Sequence, residues 1–525
     1  MKKSFKAILA LVLCLVMVCA LFAACSKTTE SGNNSSTSTP STSTETPSSG
    51  APEINFDEEP TDLIFYMFDM RGTGNDYGGN AKQAVHDYVL EKLNISIDQH
   101  YVNSGDWANT VPVAISAGER IDVCTGFGGM GITRAYSKGL LMDITDILPV
   151  YAPELNELVA PYIGTYTYQG RIFGVPTIRN YAKNGYILLN EELLDEVGAT
   201  EQARNMKSWS DYEAVMKIFK EKYGDANGIY ATRGKTGDWI CGNYSCVGDS
   251  FDSYVLFDNL NDATSTIYTD MDGNVLMYQE QPGWINEAKI MADWMQKGYV
   301  WPDSPITSEF VDDTMKQKLV FSFVSGSEFG VDVVKSNSMG FKVMAVQTVG
   351  ALIKTSQPTF TGMVVPYTSE EPEAAMRFLN LLYTDSTLMN YLIWGVEGKD
   401  YELVDGQVKH PEGTDHYTGV DWMHGNSFLL LPLYGNGSDF YTKAKEINDT
   451  SALSPYMGFA LDSTELENYI ADIGAVNDQY TGSMQGGLYT PELYDEYLAK
   501  LEVANVRGYL DEVQKQLTAW IEANK

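Results

Sequence analysis

Leu63-Ile64-Phe65-Tyr66-Met67 opens the stretch that decides the fold. A short apolar run of this kind reads as a buried strand. Ala81 to Leu93 then shows helical spacing through Ala84, Val85, Tyr88, Val89 and Leu93. Ile95 to Val102 alternates as a second strand, Val111 to Ala117 reads as a short helix, and Ile121 to Thr125 as a third strand. Strand, helix, strand, helix, strand at this pace is the pattern of a sheet wound in βαβ units, so an α/β fold is expected.

Working outward, a second wave begins at Tyr186-Ile187-Leu188-Leu189 and runs into a helix from Asp211 to Tyr223. Asp270-Met271-Asp272-Gly273-Asn274 reads as a hairpin turn, since the Gly comes two residues early for a calcium loop and no Glu stands at the twelfth position. A helix is expected from Ile285 to Gln296 and a strand over Leu319-Val320-Phe321-Ser322-Phe323. Pro372, with Glu370, Glu371 and Glu373 beside it, starts a helix that continues through Leu382. Leu510, Val513, Leu517, Trp520 and Ile521 recur at helical spacing near the end of the chain.

The N-terminus carries a different signal. Lys2, Lys3 and Lys6 precede an apolar run from Ala7 to Ala24, and small residues lead to Cys25. That is the form of an export signal over residues 1–24. The sequence Phe22-Ala23-Ala24-Cys25 resembles a bacterial lipobox, with Phe where Leu is usual, and implies lipidation of Cys25. From Ser26 to Gly50, 16 of 25 positions are Ser or Thr. Such a segment cannot bury enough apolar surface to offset its ordering entropy. Residues 25–57 therefore read as a tether reaching on the order of 30 Å. The expected location is the extracellular face of the cell membrane, with contact through the lipid alone.

The full chain of 525 residues has 36 basic and 70 acidic side chains, a formal charge of -34. Removal of residues 1–24 takes three lysines and no acids, which leaves 33 minus 70, or -37. That excess excludes nucleic acid as a partner, because backbone binding needs Lys and Arg against phosphates. The cysteines that remain are Cys25, Cys124, Cys241 and Cys246. Cys124 sits in an apolar run as a small core residue, and Cys241 and Cys246 either pair or stay as thiols. No zinc spacing is present. There is no G-x-S-x-G elbow and no H-E-x-x-H, and the run from Gly228 to Gly234-Lys235-Thr236 has one residue too many for a phosphate loop. His410, His416 and His424 fall within fifteen residues and read as exposed loop histidines. No catalytic residue, metal or cofactor is expected.

The order of motifs resembles the extracellular solute-binding proteins of ABC importers, in their long branch of sugar-binding lipoproteins. The resemblance runs through Asp122-Val123 with its Gly-rich loop, Gly139-Leu140-Leu141-Met142-Asp143-Ile144-Thr145, Tyr151-Ala152-Pro153, Gly170-Arg171-Ile172-Phe173-Gly174-Val175-Pro176, Asn184-Gly185-Tyr186, and Lys297-Gly298-Tyr299-Val300-Trp301-Pro302-Asp303. It continues in Trp394-Gly395-Val396-Glu397-Gly398-Lys399-Asp400-Tyr401-Glu402-Leu403, where His is more usual than Asp400. Ser454-Pro455-Tyr456-Met457-Gly458-Phe459 opens a region similar to the uncharacterised tail domain of that branch.

The resemblance implies a two-lobed, type II periplasmic-binding-protein-like fold with hinge strands crossing between lobes. Lobe one is expected at 58–180 plus 325–385, and lobe two at 181–324 plus 386–525 with a helical tail. It implies a monomer that binds a sugar, an oligosaccharide above all, and hands it to ABC permease subunits. A glycan-acting hydrolase, or a surface protein that captures glycans or peptides without transport, are the alternatives. Ligand contacts are expected on loops after strands and at the crossings: Asp69, Arg71 and Asn75; Phe127, beside Gly128 and Gly129; Arg179 and Asn180; Arg233, Trp239 and Tyr244; Ser325 and Glu328; and Trp422. Trp239 and Trp422 are the expected stacking platforms, and Arg71 and Asp69 the expected hydroxyl partners. Replacing Cys25→Ser is expected to abolish incorporation of labelled fatty acid into the protein in the producing cells.

Overall fold

A computed structural model describes residues 51–70, 72–223, 228–235, 245–350, 352–412 and 416–524. The first strand, β1 (Thr61–Asp69), buries Leu63, Phe65 and Met67 on one face and Phe68 on the other, as a period of two requires. The helix α1 (Gly79–Leu93) lays Ala81, Val85 and Val89 on the first of those faces. β2 (Ile95–Asn103) returns parallel to β1, and α2 (Ser104–Ser116) leads to β3 (Val123–Gly126). α2 begins seven residues before the expected start at Val111, because Pro112 lies within it and the helix runs on through that position. β4 (Val175–Pro176) lies farther along the chain.

The chain then leaves this sheet and builds a second one. β5 (Asn184–Asn190), α3 (Trp209–Tyr223) and β6 (Tyr230–Thr232) are followed by a hairpin of β7 (Ile267–Thr269) and β8 (Val275–Met277). Asp270 closes that turn by accepting the amides of Asp272 at 3.0 Å and Asn274 at 2.9 Å. α4 (Pro282–Gln296) and α5 (Val311–Lys316) lead to β9 (Val320–Ser327), α6 (Val331–Met339) and β10 (Val343–Val349). The second sheet has the order β10-β5-β9-β6. Its β9 is antiparallel to β5 and parallel to β6.

A second crossing brings the chain back as β11 (Gly362–Val364), which completes the first sheet in the order β2-β1-β3-β11-β4. Since β11 arrives from the other sheet, it runs antiparallel to both neighbours. α7 (Pro372–Thr384) starts with Pro at its first turn as expected, and α8 (Ser386–Ile393) is capped by Asp385, whose carboxylate accepts the Leu388 amide at 2.9 Å. α9 (Phe440–Thr450) precedes three tail helices: α10 (Glu467–Gln485), α11 (Pro491–Val503) and α12 (Val506–Ala523).

Packing divides the chain differently from the expected lobe limits. Residues 343–349, grouped with lobe one by the sequence, hydrogen-bond to β5 in the second sheet. Residues 386–433, grouped with lobe two, place Leu388, Met389, Leu392, Ile393, Tyr401, Val408, Tyr417 and Leu430 in the core under β1 and α1. The apolar face of α8 has nowhere else to be buried. The tail helices share a third core with Leu260, Ile267, Val275, Met277 and Trp284, so the tail packs on the β7–β8 insertion. Cys124 is a buried free thiol, and Cys246 is disulfide-bonded, while Cys241 lies outside the described residues. Cys25, the export signal and most of the tether also lie outside them. Among the described residues no helix is long and apolar enough to cross a membrane, and no three metal-ligating side chains are grouped.

One buried carboxylate holds the first sheet to its neighbouring loop. Asp122 accepts the Ile64 amide at 2.9 Å, the Ser369 hydroxyl at 3.0 Å and the Glu370 amide at 3.0 Å, and pairs with Arg120 at 3.0 Å. Desolvation pushes its pKa up, but these donors and Arg120 outweigh it and hold the carboxyl below its ordinary value. A depressed carboxyl contributes stability above its unfolded value and loses it as pH falls through the folded one. Asp122→Asn is expected to cost about 2–3 kcal/mol at pH 7 in denaturant unfolding, and the gap between the two proteins should shrink below about pH 4.

Candidate functional site

Passages of chain at 177–183 and 352–361 join the sheets and lie side by side, and residues 448–454 run beside them toward the tail, with Leu352 and Ile353 pairing with Ala452 and Leu453. The Thr177 amide donates to the Thr361 carbonyl at 3.2 Å, and the two hydroxyls meet at 2.7 Å. Ile178 also bridges to the 425–427 segment, donating to Gly425 and accepting from Ser427, each at 2.8 Å. Arg179 is almost wholly buried at this junction. Its guanidinium donates to the Gln357 carbonyl at 3.3 Å and pairs with Glu328 at 2.6 Å. One side chain thus ties the first passage to the second and to the end of β9.

Beside this junction opens a cavity of about 1140 Å³. One wall comes from loops of the first sheet, with Phe127 after β3, Arg179 and Asn180 after β4, and Trp422. The other comes from Ser325 to Phe329 at the end of β9 and from α6. Phe127, Phe360 and Trp422 form one aromatic group. Their ring centroids lie 5.4 Å apart for Phe127–Phe360, 6.4 Å for Phe127–Trp422 and 5.7 Å for Phe360–Trp422. The Trp107 indole donates to the Phe127 carbonyl at 2.9 Å and so fixes that loop. The Trp422 carbonyl accepts from Thr361 at 3.3 Å, which holds the third ring against the crossing. On the far side, Gly330 has φ 82°, and a Cβ there would fall 2.4 Å from the Phe440 ring, so only glycine admits this approach.

The polar groups of the wall are held by the loops around them. The Asn180 carboxamide oxygen accepts the Ala182 amide at 3.0 Å, which orients the amide group, while its buried nitrogen has no partner among the described residues. Burial pushes the Glu328 carboxyl above its ordinary value, against the pull of Arg179 and Lys183. Lys183 also lies 5.7 Å from the Phe360 ring centroid.

Six of the residues expected from the sequence therefore meet in one cavity: Phe127, Arg179, Asn180, Ser325, Glu328 and Trp422. Asp69 does not line it. Its buried carboxylate accepts the amides of Gly72 at 2.9 Å and Gly74 at 3.0 Å, and so closes the loop after β1. Arg233 is turned into the second half, donating to the Glu309 carbonyl at 2.7 Å and to Thr314 at 3.3 Å. Asn75 falls in the short helix Thr73–Asp76, and its side chain lies outside the described residues, as do Arg71, Trp239 and Tyr244. Gly129 serves packing, since a Cβ there would press on Pro112 and Ala108.

The sequence reading passed over Phe360, Lys183, His410, His416, Asp421 and Tyr441, all of which line the cavity. Phe360 carried one usable signal, an aromatic set between Thr359 and Thr361 in a polar turn. The three histidines are not simple exposed loop residues. His410 and His416 stack with centroids 4.0 Å apart in the cavity wall. His424 is buried in the first sheet, with its Nε2 3.1 Å from the Thr125 hydroxyl.

Residues 83–395 match the family of bacterial extracellular solute-binding proteins, and residues 455–522 match a domain of unknown function (DUF3502). The chain is 25% identical over 484 residues to a carbohydrate ABC transporter substrate-binding protein of Streptococcus pneumoniae serotype 4, spanning 89% of this chain and 92% of that one. Its fold is similar to the N-glycan transport solute binding protein NgtS of Streptococcus pneumoniae, with a TM-score of 0.73 and 21% identity over 89% of this chain and 100% of NgtS. For NgtS in complex with Man5GlcNAc the TM-score is 0.68, with 21% identity over 89% and 99% of the two chains.

Burial lowers the His424 pKa to about 4. The unfolded chain, with its ordinary value near 6.5, takes up the proton first, so stability is complete above pH 6.5 and declines as pH falls toward 4. The expected loss across that window is on the order of 3 kcal/mol. Thermal unfolding from pH 7.5 to 4 should show this slope in the native protein and a flatter one in His424→Gln.

Proposed function

This chain belongs to the family of bacterial extracellular solute-binding proteins, and on that premise we propose that it captures a carbohydrate outside the cell for an ABC importer. The observation that carries the reading is the pairing of Phe127, Phe360 and Trp422 with the unpartnered amide nitrogen of Asn180 in one cavity. Aromatic faces cover the C–H surfaces of a pyranose, and a buried donor selects a sugar oxygen. At about 1140 Å³ the space exceeds the roughly 300–1,000 Å³ of ordinary small-molecule pockets, which supports an oligosaccharide over a monosaccharide.

The working cycle follows from the crossings. In this reading the two sheets are the cores of two lobes, and the passages at 177–183, 352–361 and 448–454 are the hinge. Ligand contacts made by both walls at once favour the closed form, because only that form satisfies them together. The closed protein docks on permease subunits and releases the guest unaltered. The chain acts as a monomer, tethered through lipid on Cys25 with the Ser/Thr-rich segment as a leash. The relative of NgtS type that binds Man5GlcNAc makes that glycan the first compound to try.

Titration calorimetry of the mature protein with a panel of neutral oligosaccharides, Man5GlcNAc included, should give saturable binding and no change in the sugar on recovery. A silent panel, or recovery of cleaved product, would overturn the reading. Trp422→Ala is expected to weaken binding by about tenfold to a hundredfold in calorimetry at a temperature where circular dichroism shows the variant folded.

A further inference from the structure

We propose that the cleft selects uncharged glycans and rejects acidic ones, a conclusion that rests on the carbohydrate reading above. The chain as a whole is strongly acidic, yet its cavity is not. Among the described residues, the cations of the wall are Arg179, Lys183, Lys335 and Lys409. The carboxylates there are Glu328, Glu412 and Asp421, and Asp312 joins them through Lys335. Three carboxylates thus share the wall with the four cations, and Asp312, outside the lining, is the counter-charge of Lys335.

These charges are also spent on one another. Arg179 pairs with Glu328 at 2.6 Å, Lys335 with Asp312 at 2.5 Å, and Lys409 with Glu412 at 3.8 Å. Lys183 acts on the Glu328 carboxylate, and Asp421 bonds to Tyr441. A uronate, sulfate or phosphate on the guest needs a cation free to face it, because a charge taken out of water without a partner is strongly disfavoured. Such a group would have to break Arg179 away from Glu328, and the displaced carboxylate would then repel it. Hydroxyl and acetamido groups make no such demand. They can accept from Asn180 and donate to the remaining lone pairs of Glu328 and Asp421. The balance in the wall therefore sets ligand class independently of the charge carried elsewhere on the surface.

The test compares a matched pair. Calorimetry at pH 8 would use Man5GlcNAc and the same glycan with one terminal C6 hydroxymethyl group oxidised to a carboxylate. The acidic form is expected to bind the native protein at least about tenfold more weakly. Glu328→Gln leaves Arg179 without its counter-charge and should narrow that ratio. Glu412→Gln, at an exposed position that does not endanger folding, should narrow it to a lesser degree through Lys409. Equal or tighter binding of the acidic form by the native protein overturns this inference and leaves the carbohydrate reading standing. Failure of both compounds, and of the wider neutral panel, removes the carbohydrate reading and this inference with it.

Discussion

Arg179 concentrates the constraint on which the rest of the structure depends. The chain leaves its first sheet, returns to it and leaves again for the tail, and its first two passages lie together. Hydroxyl and amide bonds between Thr177 and Thr361 join them at one level. Arg179 joins them at another, through the Gln357 carbonyl, and extends the tie to Glu328. A guanidinium suits this position because its planar fork serves several acceptors while staying charged. Glu328 also lines the cavity on its other side.

The cavity is a consequence of that arrangement. Strands β3 and β4 of the first sheet and β9 of the second all point their ends toward the crossings, so their loops converge there. Aromatic rings gather on the first-sheet wall because Phe127 is anchored by Trp107 and Trp422 by Thr361. At the junction Arg179 and Glu328 neutralise each other, and on α6 Lys335 is paired with Asp312 of α5. The cavity wall thereby carries paired charges in a chain whose formal charge is -34.

The tail is joined to the second half by a buried polar seam. Asp262, itself buried, accepts from Thr264, Thr266 and Ile267 and also from the Tyr509 hydroxyl of α12 at 2.7 Å. Tyr497 of α11 donates to Asn477 of α10 at 2.6 Å, and Gln279 donates to the same tyrosine at 3.3 Å. Such a buried polar seam is satisfied in one register only, so it fixes how three amphipathic helices sit on the β7–β8 insertion.

Much of this was legible before any coordinates. The alternation at Leu63, Phe65 and Met67, the helical spacing at Ala81, Val85 and Val89, and Pro372 at a helix start each report a local preference, and each element formed where its pattern lay. Phe127, Arg179, Asn180, Ser325, Glu328 and Trp422 were reachable too, because residues just past strand ends and at crossings are where clefts form. Partition of the chain between sheets was not legible. Residues 343–349 and 386–433 are apolar enough for either core, and only the hydrogen-bonding edge of β5 and the open face beneath α1 decided between them. The burial of His424, the stacking of His410 on His416 and the meeting of Phe360 with Phe127 join positions far apart in sequence or set by loop packing. Periodicity is a property of neighbours along the chain, and so the sequence determined the elements. Contacts across hundreds of residues depend on which surfaces are left uncovered after those elements form, and so the tertiary structure alone decided the site.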